Sequence, residues 1–207
     1  MKREAIVRTI KELAGAAGHN KVIEVYNKQK PLPRGYKIKP NDYWCAATVS
    51  AVFLLNGYNT FSECSCVKMI EKAKAAGLWE EKDNYAPKIG DVIMYDWQDN
   101  GKGDNKGQAD HVGIVVKVNG DKFTVREGNK NNAIGERTLQ VNGKYIRGFI
   151  LPPYDVEKKK TAKEIAEEVI AGKWSKGTKR KELLEAAGYN YREIQNIVNK
   201  KLKKQEA

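Results

Sequence analysis

The sequence predicts an α+β domain with an antiparallel sheet, followed by a small all-helical module. Three observations carry this reading. Through residue 77 the apolar residues recur at helical spacing, and from residue 90 onward they alternate with a period of two. Helices followed by a strand meander specify an antiparallel α+β arrangement. The composition then shifts at "LPPYDVEKKKTAKE", where two prolines and a charged run precede a new helical pattern. These signals place the first domain at 1–155, a linker at 156–160 and the module at 161–207.

Taken in order, "REAIVRTIKELAGAAG" predicts an amphipathic helix and "NKVIEVYNKQ" a shorter second one. "QKPLPRGYKIKPND" is a proline-rich loop. "DYWCAATVSAVFLLNG" predicts a helix buried on most sides and ended by Gly57. Asn41 and Asp42 are favoured N-cap types there, which puts Cys45 in the first turn. "CVKMIEKAKAAG" is another helix, closed by Gly77. "GDVIMYDW", "HVGIVVKV", "KFTVREGN", "ERTLQV" and "YIRGFILP" read as strands, and "VNGDK" and "VNGK" as Asn-Gly hairpin turns. Beyond the linker, Thr161 and Glu164 form a capping box for a helix whose apolar face is Ile165, Ala166, Val169 and Ile170. Thr178 is the expected cap of a second helix ended by Gly188. Asn190 is the expected cap of a third carrying Ile194, Ile197, Val198 and Leu202. A module of this size suits binding better than catalysis.

Composition narrows the function. The chain has 207 residues, 41% of them hydrophobic, and a mean hydropathy of −0.66, as in a soluble globular protein. The longest apolar run, 46–55, is too short to cross a bilayer, so no membrane insertion is expected. "MKREAIVRTIKELAG" has neither a continuous apolar core nor a cleavage site, so no signal peptide is expected. The net charge of +12 suggests an anionic partner, either nucleic acid or an acidic surface. From residue 157 onward there are 14 Lys and Arg against 8 Asp and Glu, a net of +6. No nucleic-acid motif or zinc spacing accompanies that charge, so nucleic acid is not expected.

Three cysteines, at 45, 64 and 66, fit neither a disulfide framework nor a zinc site. Cys64 and Cys66 read as buried small side chains. Cys45, at a helix start, gains thiolate character from the helix dipole. A cysteine nucleophile also needs a base, normally histidine, and the chain has two. His19, in "AGHNK", reads as a solvated loop residue or a C-cap. His111 opens a strand whose hairpin partner ends in Glu127 and Asn129. The hairpin topology makes these three neighbours, and a carboxylate or amide beside an imidazole fixes its tautomer and orientation. The loop "DWQDNGKGDNKGQADH" puts Gly107 where a calcium loop starting at Asp96 would need its bidentate Glu. It reads as a mobile rim of the cleft, and no metal is expected.

The segments "DYWCAATVSAVFLLNGY", "PKIGDVIMYDW", "DHVGIV" and "VREGN" resemble, in order and spacing, the CHAP domain of phage endolysins and bacterial wall hydrolases (cysteine, histidine-dependent amidohydrolase/peptidase). The resemblance covers most of 1–155. It implies a papain-like fold related to NlpC/P60, with Cys45 as nucleophile, His111 as base, Glu127 as the orienting residue and Asn129 as its companion. The implied activity is cleavage of a peptidoglycan amide bond without a cofactor, with amidase and endopeptidase both open. One oxyanion donor is expected from the Cys45 N–H, with Tyr43 as a side-chain candidate. Some members carry a calcium loop of aspartates ahead of the nucleophile. Here "PRGYKIKPND" is basic and nearly without carboxylates, so calcium is not expected. The features "VIAGKW", "AAGYNY" and "IQNIVN" resemble the type-7 cell-wall-binding repeat of phage lysins, usually found in tandem and present here once. By that resemblance Trp174, Arg180, Tyr189, Tyr191 and Gln195 are the substrate-binding positions, although the aromatic residues equally suit the module's core. The expected partner is the peptidoglycan of a Gram-positive-type wall, met by a monomer made in a host cytoplasm and acting after release. The alternative is a catalytically inactive wall-binding protein, against which the complete set of reactive side chains argues.

Overall fold

A computed structural model describes residues 1–82, 84–102, 106–155 and 160–205. The chain divides into two compact units, Met1–Asp155 and Val156–Ala207. Of the expected linker, residues 156–159 lie outside the described residues.

The first unit opens with helices α1 (Arg3–Glu12), α2 (Gly15–Asn27), α3 (Cys45–Leu55) and α4 (Cys66–Ala75). A six-stranded antiparallel sheet follows, formed by β1 (Trp79–Glu80), β2 (Val92–Tyr95), β3 (His111–Asn119), β4 (Lys122–Lys130), β5 (Ala133–Gln140) and β6 (Ile146–Ile150), in the order β1-β6-β2-β3-β4-β5. Alternation along the strands sorts two apolar faces. Val92, Met94, Val112, Ile114 and Val116 join the helical core, while Ile93, Tyr95, Val115, Phe123 and Val125 build a second cluster on the opposite face. Helix α3 is the centre of the first core: every residue from Cys45 to Phe53 is buried. α1, α2, β3 and β4 all pack on it.

Several local readings change. The first two helices divide at Leu13, which is extended (ψ 117°), rather than after Gly18. Gly15, at φ +54°, starts α2 with a backbone turn that a side chain would strain. Gly18 passes so close to the Leu13 backbone that a Cβ would lie 3.0 Å from it. The α1 end is held by Arg126 on β4, whose guanidinium donates to the carbonyls of Ile10 and Leu13. His19 is neither a loop residue nor a C-cap. It lies within α2, stacked on Trp44 with centroids 4.3 Å apart. Asn41 and Asp42 do not cap α3. The Asp42 carboxylate accepts from the Lys39 N–H and the Tyr36 hydroxyl, closing the preceding turn, and Trp44 is the N-cap. Cys45 is therefore the first helical residue.

The "VNGDK" turn joins β3 to β4 as a hairpin, with Asn119 opposite Lys122. The "VNGK" segment makes no hairpin. β5 pairs only with β4, whereas β6 pairs with β1 and β2. The chain crosses from one edge of the sheet to the far side of β2. A local Asn-Gly signal sets the turn but cannot choose the strand's partner. The short strand β1, which alternation over two residues cannot reveal, pairs with β6.

The second unit holds α5 (Ala162–Ile170), α6 (Gly177–Ala186) and α7 (Tyr191–Gln205). Thr161 and Glu164 form a reciprocal capping box, and Asn190 accepts from the Glu193 N–H at the start of α7. Thr178 is not a cap; it lies inside α6, whose N-cap is Lys176. Ile165, Ala166, Val169, Leu184, Ile194 and Val198 make the core. Ile170 and Leu202, expected on apolar faces, are exposed.

Candidate active site

The first residue of α3 has no intrahelical acceptor for its N–H, and it sits at the positive end of the helix dipole. Cys45 occupies that position, buried among core residues yet lining a cleft of about 270 Å³. Tyr43, Trp97, Asp110, His111, Asn129, Lys130, Asn131 and Arg137 form the rest of the cleft wall. His111, at the start of β3, brings its ring to the Cys45 thiol.

The other side of the ring is fixed by Glu127. His111 Nε2 lies 3.2 Å from Glu127 Oε2 and donates to it, leaving Nδ1 for the thiol. Strand register explains the reach. Ile114 faces Arg126, and the neighbouring Gly113 lies directly against the Glu127 side chain. Glu127 therefore lies across Gly113 to meet a histidine two residues back on the same face. A Cβ on Gly113 would stand 2.9 Å from Glu127 Cγ and 2.5 Å from Val125 Cγ1, so only glycine leaves that path open.

Glu127 is fully buried and is met by donors from three residues. Tyr95 Oη donates at 2.7 Å and Arg137 Nε at 2.9 Å, besides the imidazole. Burial pushes its carboxyl upward, but the bonds from His111, Arg137 and Tyr95 outweigh that and hold it below the usual carboxylate value. Burial likewise opposes charge on His111, yet its bonds to Cys45 and Glu127 raise its pKa to about 9. The Cys45 thiol is held well below its ordinary value. The contact with Cys66 is the largest cause; burial opposes it, and His111 and the Ala46 N–H add to the lowering. The resulting state is an imidazolium beside a thiolate.

Aromatic rings shield this pair. Trp97 stacks on His111 with centroids 5.7 Å apart and on Tyr95 at 5.0 Å, and the Arg137 guanidinium lies 4.9 Å from the Trp97 centroid. Asn129 adopts a left-handed backbone (φ +58°) at the register break of β4 and lines the cleft, while the ring nitrogen is met by Glu127.

Residues 38–129 match the model of the CHAP domain, and residues 163–202 match that of the CW_7 repeat. The chain carries a CHAP domain followed by a CW_7 repeat. No curated protein matches it. A CHAP domain brings the papain-like cysteine-peptidase fold and a cysteine- and histidine-dependent amidohydrolase or peptidase activity; with the repeat, it makes the chain a peptidoglycan hydrolase with cell-wall binding.

The CHAP match takes in Cys45, His111, Glu127 and Asn129; the structure brings Cys45, His111 and Asn129 to one cleft, with Glu127 buried behind the imidazole. Sequence reasoning missed Tyr95, Trp97, Arg137, Gly113 and Cys66. For Arg137 the deciding signal is the β4–β5 register: Val125 faces Arg137 and Glu127 faces Gly135, so alternation puts Arg137 on the Glu127 face, but the sequence alone does not fix that register. Cys66 is buried as expected, yet its Sγ lies 3.8 Å from Cys45 Sγ. Tyr43 is exposed on the cleft wall. Residues 103–105 of the loop considered for calcium lie outside the described residues. Among its described residues the carboxylates accept from backbone N–H groups: Asp96 from Gln98, Asp99 from Gly101 and Ile146, and Asp110 from Trp97. No metal-binding group of His, Cys, Asp and Glu occurs among the described residues.

In the CW_7 repeat, Trp174, Tyr189 and Tyr191 pack against the core, with the Trp174 and Tyr189 rings edge to face at 6.2 Å. Trp174 Nε1 donates to Glu168, and Arg180 donates to the Ser175 carbonyl and to Gln195.

Gly113→Ala is expected to displace Glu127 from His111 and lower kcat of the hydrolase at least about tenfold, because misplacing a positioning group by an ångström costs one to two powers of ten. A Gly113→Ala variant with wild-type turnover would contradict the packing argument.

Proposed function

We propose that the chain is an endolysin that cuts an amide bond of Gram-positive-type peptidoglycan through a Cys45 acyl-enzyme. The observation that carries the reading is that Cys45 and His111 meet in one cleft while the buried Glu127 holds the far side of the imidazole. The thiolate attacks the amide carbonyl carbon, and the carbonyl electron pair moves onto oxygen. The Cys45 N–H, free of intrahelical bonding at the helix start, points to a role as oxyanion donor. On collapse, the His111 imidazolium protonates the leaving amine and a thioester forms. Neutral His111 then takes a proton from water, whose oxygen attacks the thioester carbon. Expulsion of the thiolate leaves a carboxylic acid, which gives its proton to solvent, and restores the ion pair. Glu127 holds the ring orientation and stabilises its charge, with Asn129 on the cleft wall beside it.

The wall-binding role falls to the repeat, with Trp174, Arg180, Tyr189, Tyr191 and Gln195 as contact positions. Packing favours a division among them. The tyrosines and Trp174 build the core, and Arg180 with Gln195 forms a polar pair suited to a glycan or peptide amide. The protein acts as a monomer, is made in a host cytoplasm and reaches the wall after release. The excess of positive charge favours adhesion to an anionic wall.

Mass spectrometry of digested walls names the bond. An amidase releases stem peptides with a free alanine amino terminus and leaves the glycan bare; an endopeptidase cuts within the peptide. Cys45→Ala is expected to lower the rate by about three powers of ten or more. Retention of more than about a hundredth of the activity would remove Cys45 from its role.

The pH profile follows from the pair. With His111 raised to about 9 and Cys45 lowered, both partners are charged at neutral pH. kcat/KM is expected to fall as pH rises through about 9, where the proton needed by the leaving amine is lost. A rate that stays level well above that pH would show that another group supplies the proton.

Deletion of residues 156–207 is expected to slow lysis of intact walls more than cleavage of soluble muropeptides, since only the wall-bound enzyme gains effective concentration from an anchor. The difference should shrink in high salt, which screens the basic charge. Equal lysis of walls by both forms at low salt would show that the repeat does not anchor the enzyme.

A further inference from the structure

The proposed reaction uses Cys45 but gives no task to the thiol beside it. Cys66 is the first residue of α4, as Cys45 is of α3. The two helix starts converge, so two cysteines meet in the interior with their sulfurs 3.8 Å apart, within hydrogen-bonding range for sulfur. Ser50 of α3 ties this approach from beneath: its hydroxyl donates to the Glu63 carbonyl and accepts from the Glu63 N–H. Glu63 itself, two residues before the α4 N-cap Ser65, is buried and paired with Arg34 and Lys72. The geometry is thus a built contact between two helix ends.

We propose that Cys66 is a second catalytic thiol, whose S–H donates a hydrogen bond to the Cys45 sulfur and holds it as the thiolate. This assignment rests on Cys45 being the nucleophile.

The direction of the bond follows from the surroundings. Two thiolates 3.8 Å apart cannot both be charged, so one proton stays with the pair. His111 contacts Cys45, which draws the negative charge to that sulfur. The contact with Cys45 is the main cause that holds the Cys66 proton well above the ordinary thiol range; burial adds to it, and Asp110 acts in the same direction. The other groups around the pair do not reverse this order. Glu127 of β4 acts through His111 and is itself neutralised by Arg137 of β5. Lys130 and Tyr43 line the cleft, and His19 of α2 stacks on Trp44, the residue before Cys45.

The bond serves both halves of the reaction. Before attack it keeps the nucleophile charged at pH values where His111 alone would share the proton. In the thioester the Cys45 sulfur is neutral and the bond weakens. When the second tetrahedral intermediate collapses, charge returns to that sulfur as it leaves, and the Cys66 donor is already in place.

The test follows the alkylation of Cys45 by iodoacetamide against pH, with the modified peptide quantified by mass spectrometry. It does not depend on cleavage of any wall. In the full chain, Cys66→Ala is expected to move the acid limb of Cys45 alkylation upward by about one pH unit, making alkylation about tenfold slower below the limb. Cys66→Val, which fills the space without a donor, should move it likewise and covers the case in which the alanine variant is poorly folded. Cys66→Ser, which keeps a donor, should leave the limb near the wild-type position. The acid limb of kcat/KM for wall lysis should shift in parallel. An unmoved alkylation limb in the alanine and valine variants overturns the proposal. So does an equal shift in the serine variant, which would reduce Cys66 to a packing residue. A shifted alkylation limb in a protein that cleaves no wall would uphold the thiol pair and refute the hydrolase reading instead.

Discussion

A carboxylate with no exposed surface is the constraint on which the first unit depends. Unpaired, such a charge would cost several kcal/mol, and the fold tolerates it only because donors from three residues converge on it. Those donors come from three different strands: Tyr95 from β2, His111 from β3 and Arg137 from β5, with Glu127 itself on β4. Four neighbouring strands are therefore tied through one side chain. A slip of β4 by one residue would turn Glu127 to the helical face and leave all these donors unpaired. The register of the sheet and the geometry of the candidate active site are one requirement.

From that anchor, charge alternates toward the helices. Arg137 is positive, Glu127 negative, His111 positive and Cys45 negative, and the line ends on the neutral thiol of Cys66. Each member lowers the cost of burying its neighbours, and none is stabilised by water alone. Trp97 closes the open side by stacking on both the imidazole and the guanidinium. The low-dielectric setting strengthens each pair, which is why His111 keeps its proton to about pH 9 in spite of burial.

The outline of this site was legible in the sequence because three of its members sit at element boundaries. Cys45 begins a helix, His111 begins a strand, and Glu127 lies near the end of the strand that a two-residue turn folds back. Such positions can be ranked from turn residues and periodicity alone. Arg137 was harder, since it requires the register of a third strand. Cys66 was out of reach, because nothing local says that two helix starts will converge. His19 was misread for the same reason: its partner is Trp44, a long-range contact. The second Asn-Gly turn shows the limit most directly. It bends the chain as expected, yet β6 finds its partners across the sheet, where β2 and the apolar side chains of Ile93 and Phe149 decide its place.

One further feature concerns Gly128, between Glu127 and Asn129. A Cβ there would lie 1.9 Å from Thr48 Oγ1 on α3, so β4 rests directly against the helix that begins with Cys45. With Gly113 this makes two positions near the site where no side chain fits. Every missense change of a glycine codon adds one. The strand segments that carry His111 and Glu127 are thus closed to gradual drift, while Tyr43, Lys130 and Asn131 on the cleft rim are not held in this way. Selection acting on this scaffold can remodel what enters the cleft far more readily than it can move His111 and Glu127.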